Sequence, residues 1–277
     1  MLTKQPTWEV LDSTKIKTFE DCPRQYFYRH ILGWTSGLSN HNDLVFGRAW
    51  HKAMAFLAEH DYSLEAQRLA FLTQFLPDYR QDFSPETDEI FDKKNPSRAE
   101  AAIKSYCDRW SDDFQLYKTK YIEVAGSVSV HPDLPPLFFR IDAVLELPNG
   151  QVLIMERKTG TNFSSTWAAG WALDVQPGTY LHVAYCLFPP EQVWGAIIDG
   201  TFFGAKTKFN HERVEVKRDK QSMQVWSWNT QQHMDTILME TKYLEDEEIY
   251  SNEVMECFPM NDQNCTKYWG CTYHDFC

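Results

Sequence analysis

The chain has 277 residues, 43% of them hydrophobic and 15% aromatic, which is enough apolar material for a sizeable core and argues against a disordered chain. Its formal net charge of −12 excludes a basic coat that binds nucleic acid through bulk charge, although a local groove with bound cations could still meet phosphates. No apolar run approaches the roughly 18 residues of a membrane span, and the N-terminus lacks the apolar core of a secretory signal. We therefore expect no membrane partner, a cytoplasmic location (the host cytoplasm if the protein is phage-encoded) and reduced thiols.

The first third of the chain has the apolar spacing of helices. Three helices are predicted there, over Ser13–His30, Asp43–His60 and Ser63–Leu76. A capping box from Ser97 to Glu100 predicts the start of a fourth helix, which runs to about Phe114. The polar, acidic stretch between Pro77 and Pro96 predicts a surface loop.

The middle of the chain changes to a β-strand pattern. Three antiparallel strands are predicted, over Tyr121–Val130, Leu137–Leu147 and Gln151–Arg157. Pro148–Asn149–Gly150 between the last two is a hairpin-turn signal. In the remaining chain, a helix is predicted over Val175–Leu187, and strands are predicted over Val193–Phe203 and Arg213–Lys217. A long helix over Lys220–Leu244 and a cysteine-rich tail follow.

No repeat, low-complexity tract or Pro/Gly/Ser-rich linker divides the chain, so we expect one α/β (α+β) domain over residues 1–277. Its N-terminal part (1–120) is expected to be mainly helical, its middle (121–218) to form the sheet, and its end (219–277) to hold a helix and the cysteine tail.

Two carboxylates and a lysine are expected to meet on neighbouring strands. Asp142 lies inside one predicted strand, and Glu156 and Lys158 lie near the end of the next, on the same face because side chains alternate. Such a set can hydrolyse a phosphodiester: the carboxylates hold Mg²⁺ or Mn²⁺, the metal lowers the pKa of a bound water, and the ammonium stabilises developing charge. Taken alone, the same three residues could simply be charges on a solvated strand face.

Four ordered motifs resemble the RecB-like, CRISPR-associated-exonuclease-like branch of the PD-(D/E)XK nuclease superfamily. They are Gly47–Arg–Ala–Trp–His51, Ile141–Asp142, Glu156–Arg–Lys158–Thr159–Gly160 and Gln176–Pro–Gly–Thr–Tyr180. The resemblance implies a restriction-endonuclease-like core, in which a mixed central sheet is flanked by helices.

The same resemblance implies a role for each matching residue. The metal ligands would be His51, Asp142, Glu156 and the backbone carbonyl of Arg157, and the catalytic residues would be Asp142, Glu156, Lys158, Gln176 and Tyr180. Lys158 would be the catalytic lysine, whereas Gln176 and Tyr180 would position DNA or that lysine. His51 could instead be an ordinary core histidine.

Two further acidic residues need separate treatment. Pro132–Asp133 spells the first half of the superfamily name, but it lies in a proline-rich turn rather than a strand, so we choose Asp142. Glu123 resembles an acidic position often present in the family and could support the site or face solvent.

Four of the seven cysteines lie in the last 21 residues, and Cys22 lies near the start. Dense cysteines in a reducing compartment favour a metal or cluster site over disulfides. The RecB-like resemblance implies a [4Fe–4S] cluster on Cys22, Cys265, Cys271 and Cys277, which would tie the two ends of the chain together. The spacing departs from the family's usual C-x2-C-x5-C, Cys257 competes with Cys265, and Zn²⁺ is the alternative occupant. Cys107 and Cys186 are interpreted as small buried residues.

The leading hypothesis is a metal-dependent DNA exonuclease that acts on single strands or free ends in recombination, repair, phage DNA processing or CRISPR adaptation, with a helicase or recombination protein as a candidate partner. One alternative is a non-catalytic Fe–S subunit that binds DNA in a helicase–nuclease or CRISPR-adaptation complex. Another is a zinc-stapled module that binds proteins. Candidate DNA contacts, each of which could equally be core or solvated, are Arg24, Arg48, Lys206, Lys208, Trp50, Trp167 and Trp171.

Overall fold

The computed structural model describes residues 1–35, 38–205, 208–266 and 270–277. Its α-helices there are α1 (Ser13–Asp21), α2 (Pro23–Tyr26), α3 (Leu38–Glu59), α4 (Leu64–Leu69), α5 (Leu76–Tyr79), α6 (Pro96–Arg109), α7 (Asp113–Leu116), α8 (Ser165–Gly170), α9 (Val175–Leu187), α10 (Lys220–Lys242) and α11 (Asn252–Cys257). Its strands are β1 (Leu11–Asp12), β2 (Lys118–Val128), β3 (Leu137–Glu146), β4 (Val152–Gly160), β5 (Val193–Phe203) and β6 (Phe209–Val216).

The strands form one mixed sheet. β2, β3 and β4 pair in antiparallel fashion, as the sequence predicts. β5 lies parallel to β4 after the crossover through α8 and α9, and β6 returns antiparallel to β5. The two-residue β1, which the sequence analysis missed, lies parallel to the start of β3. The predicted mixed central sheet is confirmed.

The strands β3 and β4 part in the middle of the sheet. Their pairing runs from Glu146 opposite Val152 to Ala143 opposite Met155 and stops there. On the same edge of β3, β1 then pairs with Leu137 and Phe138. Asp142, which precedes Ala143, and Glu156, which follows Met155, therefore lie just beyond the last pair. At this point the two strands leave room between them for other groups.

Helices cover both faces of the sheet. Ile154 packs in a core cluster with Tyr180 and Leu181 of α9, whereas its neighbour Met155 packs in a cluster on the opposite face. α3 and α6 lie on that opposite face, where Trp50 packs against Phe203 of β5. The flanking helices confirm the predicted fold class, and α3 and α9 bring side chains to the β3–β4 opening from the two sides.

The first predicted helix is interrupted at Cys22. This residue has extended backbone angles (φ −165°, ψ 111°) and separates α1 from α2. The cause is Pro23, because a residue before proline is pushed out of the helical region. After α2 the chain continues as one wider π-helical turn over Phe27–Ile31.

Two other predictions near the fourth helix are wrong in detail. The helix is capped by Asn95, whose side chain accepts the Arg98 N–H at 3.0 Å, and not by the box at Ser97, and it ends at Arg109. The preceding stretch is not a plain surface loop, since Tyr79, Phe83 and Phe91 are buried in the α3–α6 core cluster. The stretch is polar on average, but these three aromatic side chains attach it to the core.

Within the described ranges, every helix is too short or too polar to cross a membrane.

Candidate active site

Asp142 is buried at the point where β3 leaves β4, with 5% of its surface exposed. Its Oδ2 accepts the backbone N–H of Arg157 at 2.7 Å, and its Oδ1 lies 2.9 Å from His51 Nδ1. The N–H of Arg157 thus bonds to a carboxylate just beyond the β3–β4 pairs. Each oxygen of Asp142 therefore has a fixed partner, which sets the direction of the carboxylate.

Glu156 and Lys158 lie on one face of β4, as strand alternation requires. Lys158 Nζ donates to Glu156 Oε1 at 2.7 Å, and the same ammonium lies 5.6 Å from the centre of the Trp171 ring. Glu156 Oε2 is buried and has no hydrogen-bond partner among the described residues. A buried carboxylate oxygen without a donor is costly unless a cation or another group satisfies it.

The helix α9 brings Gln176 and Tyr180 to the same carboxylate. Gln176 Nε2 donates to Glu156 Oε1 at 2.9 Å and to the Tyr180 hydroxyl at 2.7 Å, and that hydroxyl donates to the Arg140 carbonyl at 2.7 Å. Gly178 lets α9 approach α10, because an added Cβ would lie 2.2 Å from the Trp226 ring. Asp174 caps the helix by accepting the Gln176 N–H at 2.9 Å.

On the other side, α3 brings His51 to the site, and β2 adds Glu123. Ligand atoms of His51, Glu123 and Asp142 all lie within 4.8 Å of one another. Glu123 has a left-handed backbone (φ 53°) between residues that pair with the two neighbours of Asp142, and it accepts a hydrogen bond from Arg140 Nε at 2.6 Å. The sequence analysis left Glu123 open; the break that its backbone makes in β2 has no sequence signal comparable to a glycine.

The site shifts the pKa values of its acids in opposite directions. Burial raises the pKa of Glu156 to about 7, Lys158 opposes the rise, and Asp142 adds to it. For Asp142, burial is outweighed by His51 and Arg157, so its pKa is lowered. Burial also opposes charge on His51, yet Asp142 and Glu156 raise its pKa. One acid thus stays ionised while the other is poised to take up or release a proton near neutral pH.

The donor set fits a hard divalent cation. Carboxylate oxygens suit Mg²⁺ and Mn²⁺, and an imidazole nitrogen is acceptable to Mn²⁺. The cluster whose ligand atoms lie within 4.8 Å of one another is His51, Glu123 and Asp142, and the unpartnered Oε2 of Glu156 belongs to a carboxylate that interacts electrostatically with Asp142 and His51. Asp133, by contrast, lies in a turn with 89% of its side chain exposed, as the sequence predicts.

The candidate cluster cysteines lie where the two ends of the chain meet. Cys22 is buried, and its sulfur accepts the Asn261 N–H at 3.4 Å. Burial raises the pKa of Cys277, and the nearby Cys22, Cys271 and Cys265 raise it further. The pKa of Cys257 is instead raised to about 12 by burial and by Glu240, which separates this cysteine from the other four. Cys107 is buried as predicted, whereas the prediction for Cys186 is wrong because it is exposed.

Most of the candidate DNA contacts have other roles. Trp50 and Arg24 are buried, and Arg24 donates to the Met255 carbonyl at 3.0 Å. Arg48 is paired with Asp78 and Asp82 at 2.7 Å each. Lys206 lies outside the described residues, Lys208 is exposed, and the Trp167 ring packs edge-on against Trp171 and Phe202. Trp171 borders the site, through Lys158.

The sequence profile of the PD-(D/E)XK nuclease superfamily matches residues 13–277. A solved structure from Eubacterium rectale, named "Putative exonuclease", shares 14% sequence identity and a TM-score of 0.54, over 90% of this chain and 88% of that one. Another solved structure, named SSO0001, shares 12% identity at a TM-score of 0.30, over 80% of this chain and 85% of that one. No curated protein matches the chain.

The match to the family covers the strands β2 to β6, the helix α9 and the cysteine tail together, and the similarity to the Eubacterium rectale structure agrees with the mixed α/β fold. The chain therefore belongs to the PD-(D/E)XK nuclease superfamily, a group of phosphodiester hydrolases.

Proposed function

We propose that the protein is a Mg²⁺- or Mn²⁺-dependent DNA exonuclease of the RecB-like branch, with the active site at the β3–β4 opening. The observation that carries this proposal is the buried Glu156 carboxylate, which has one oxygen without a partner next to the Asp142–His51 pair. The other oxygen accepts hydrogen bonds from both Lys158 and Gln176, so the orientation of the carboxylate is fixed.

The residues would divide the work as follows. Asp142, Glu156, His51 and the backbone carbonyl of Arg157 would hold the cation, with Glu123 close enough to join them. A bound divalent cation would supply an acidified water and neutralise charge on the phosphate. Lys158 would stabilise charge that develops on the scissile phosphate. Gln176 orients Glu156 and is itself oriented by Tyr180.

Two cavities beside the site supply a path for the substrate. Each has a volume of about 280 Å³, and both are lined by Ser13, Thr14 and Gln176. One continues past Trp171 to Lys17 and Arg29, and the other continues along Arg140 to Tyr180. Asp21 and Asp174 also line the first cavity and Asp12 lines the second. We infer that a single strand follows this path beside the hydroxyl, amide and cationic groups, which suit its phosphates, and that Trp171 stacks on an unpaired base.

The test compares linear and circular single-stranded DNA, with Mg²⁺ or Mn²⁺ and with chelator, under anaerobic conditions. An exonuclease degrades the end-labelled linear strand and leaves the circle intact. Asp142→Asn should abolish degradation, and its matched control, Asp133→Asn, should retain it. Cleavage of the circle would replace exonuclease by endonuclease action. No cleavage by the wild-type protein would overturn the enzyme and favour the non-catalytic DNA-binding subunit.

We also propose that Cys22, Cys265, Cys271 and Cys277 hold a [4Fe–4S] cluster. Support comes from the nearness of these thiols, since besides burial Cys22 and Cys271 raise the pKa of both Cys265 and Cys277. The Asn261 N–H that points to the Cys22 sulfur also supports the proposal, because hydrogen bonds to sulfur tune such clusters. The surrounding contacts already join the ends of the chain: Tyr28 donates to the Phe276 carbonyl at 2.6 Å. Broad visible absorption from an anaerobic sample is expected; a colourless protein with bound Zn²⁺ would contradict the cluster.

A further inference from the structure

A row of buried charges crosses the sheet on the face opposite Glu156 and Lys158. The row consists of Arg157 on β4, Asp199 on β5 and Arg213 on β6, which are direct partners in the strand register. Arg157 is 4% exposed and Asp199 is 2% exposed, and 9% of the Arg213 side chain is exposed. Their charges alternate in sign, so each carboxylate or guanidinium faces the opposite charge on the next strand.

The outer end of this charge row is firmly anchored. Arg213 donates to both oxygens of Asp113, at 2.7 and 2.6 Å, and its guanidinium lies 3.9 Å from the centre of the Trp110 ring. The carboxylate of Asp199 receives the Tyr106 hydroxyl of α6 and lies 3.5 Å from Arg213 Nε. Asp199 is therefore fixed by a helix on one side and by a paired arginine on the other.

The inner end of the charge row reaches the active site. The backbone N–H of Arg157 donates to Asp142 Oδ2 at 2.7 Å, while its side chain lies on the reverse face. Arg157 Nε and Asp199 Oδ1 have no hydrogen-bond partner among the described residues. Arg157 faces Asp199 across the β4–β5 pair; burial lowers the pKa of its guanidinium, and Tyr106, Asp142 and Asp199 outweigh burial and raise that pKa.

Buried ion pairs are a poor way to stabilise a core, because apolar residues of similar volume often do as well. The row of three charges ends at Arg157, whose backbone N–H donates to Asp142. The row is therefore better explained as a device that fixes the position of the Arg157 backbone. We propose that Asp199 is a positioning residue for the metal site: it holds Arg157 so that the N–H of Arg157 fixes Asp142 and its carbonyl faces the cation. The inference rests on the proposed function only in requiring that the site binds a divalent cation.

The test measures Mn²⁺ binding to the purified protein, without DNA, by electron paramagnetic resonance. Asp199→Asn keeps the shape and removes the charge, so Mn²⁺ affinity should fall about 10- to 100-fold, the usual effect of removing an outer support of a metal ligand. The matched control is Thr201→Val, two residues along the same buried strand face, where the Thr201 hydroxyl lies 3.1 Å from His211 Nδ1. Thr201→Val should leave Mn²⁺ affinity unchanged.

A double variant tests whether Asp199 acts through Arg157. In an Arg157→Met background, Asp199→Asn should cause no further loss of Mn²⁺ affinity, because the guanidinium to be positioned is gone. Additive losses would overturn the proposed route. If Asp199→Asn does not fold, Tyr106→Phe decides instead, since it removes the hydroxyl that donates to Asp199 and accepts from Arg213 Nη2 at 3.3 Å; unchanged Mn²⁺ affinity in that variant would overturn the proposal.

The outcome is separable from that of the proposed function. A wild-type protein that binds Mn²⁺ but cuts no DNA leaves the positioning role intact and overturns the nuclease. Equal Mn²⁺ affinity in wild type and folded Asp199→Asn overturns the positioning role and leaves the nuclease intact. A wild-type protein that binds no Mn²⁺ overturns both.

Discussion

Replacing Glu156 by glutamine should make the metal-free protein more stable at alkaline pH while removing its response to metal. The substitution keeps an oxygen for the Lys158 and Gln176 hydrogen bonds and removes the buried negative charge. In the wild-type protein, burial raises the pKa of Glu156 from 4.5 to about 7. The folded state therefore resists ionisation of a group that ionises freely in the unfolded chain.

The size of this effect follows from linkage. Since each pKa unit corresponds to about 1.36 kcal/mol, the rise from 4.5 to about 7 costs the metal-free protein about 3 kcal/mol above neutral pH. The sign is that of a raised pKa: the stability is present below the unfolded pKa and is lost as pH rises through about 7. At about pH 5 the folded Glu156 is mostly protonated, and the cost falls to about 1 kcal/mol.

The assay is chemical denaturation of wild type and Glu156→Gln in chelator, at acidic and alkaline pH. We expect the variant to gain up to about 3 kcal/mol at about pH 8 and much less at about pH 5. Added Mg²⁺ should stabilise the wild type and leave the variant unchanged. A variant that is less stable than wild type in chelator at alkaline pH would refute the reasoning, because it would show that the ionised Glu156 is favourably solvated or paired without a cation.

Three further predictions concern the cation, the substrate path and the cysteines. Because Glu156 must lose its proton to bind a cation and has a pKa of about 7, Mn²⁺ binding should be about tenfold weaker at about pH 6 than at about pH 8; a flat pH profile in titration calorimetry would contradict this. Arg29→Ala should raise KM for single-stranded DNA with little change in kcat and reduce the salt dependence of binding by about 0.7 per lost phosphate contact, whereas an unchanged salt slope would remove Arg29 from the path. Cys277→Ser should lose the visible absorption and much thermal stability, and Cys257→Ser should keep both; the reverse pattern would assign the cluster to other cysteines.

Much of the sheet could be predicted because its sequence signals are local. The helix over Val175–Leu187 and the strand over Val193–Phe203 have the predicted bounds, since caps, apolar content and turn residues agree there. The pairing of β3 with β4 followed from the turn at Gly150. These features require no knowledge of distant contacts.

The features that were missed or, for Glu123, left open depend on the tertiary structure. The β1 strand has two residues and exists only because the start of β3 offers a free edge. Glu123 reaches the site through a left-handed backbone in a strand, which no propensity favours. In the sequence, Asp199 is a single charged residue in an apolar strand. Only the strand register shows that it lies between Arg157 and Arg213.

Motif order predicted the site residues more reliably than residue type alone predicted DNA contacts. His51, Asp142, Glu156, Lys158, Gln176 and Tyr180 meet in one region through the hydrogen bonds described above, and their chemical roles remain predictions. Trp50, chosen only because tryptophan can stack on bases, lies in the core. Stacking and burial require the same apolar ring, so the sequence could not separate them.

The central claim is a metal-dependent phosphodiesterase site built on Asp142, Glu156 and Lys158. Its most direct test is the degradation of end-labelled single-stranded DNA with Mn²⁺ by wild type, Glu156→Gln and Lys158→Ala, each confirmed to be folded. We expect wild type to degrade the strand, chelator to stop the degradation, and both variants to lose at least about a hundredfold in rate. Degradation at the wild-type rate by both variants would contradict it.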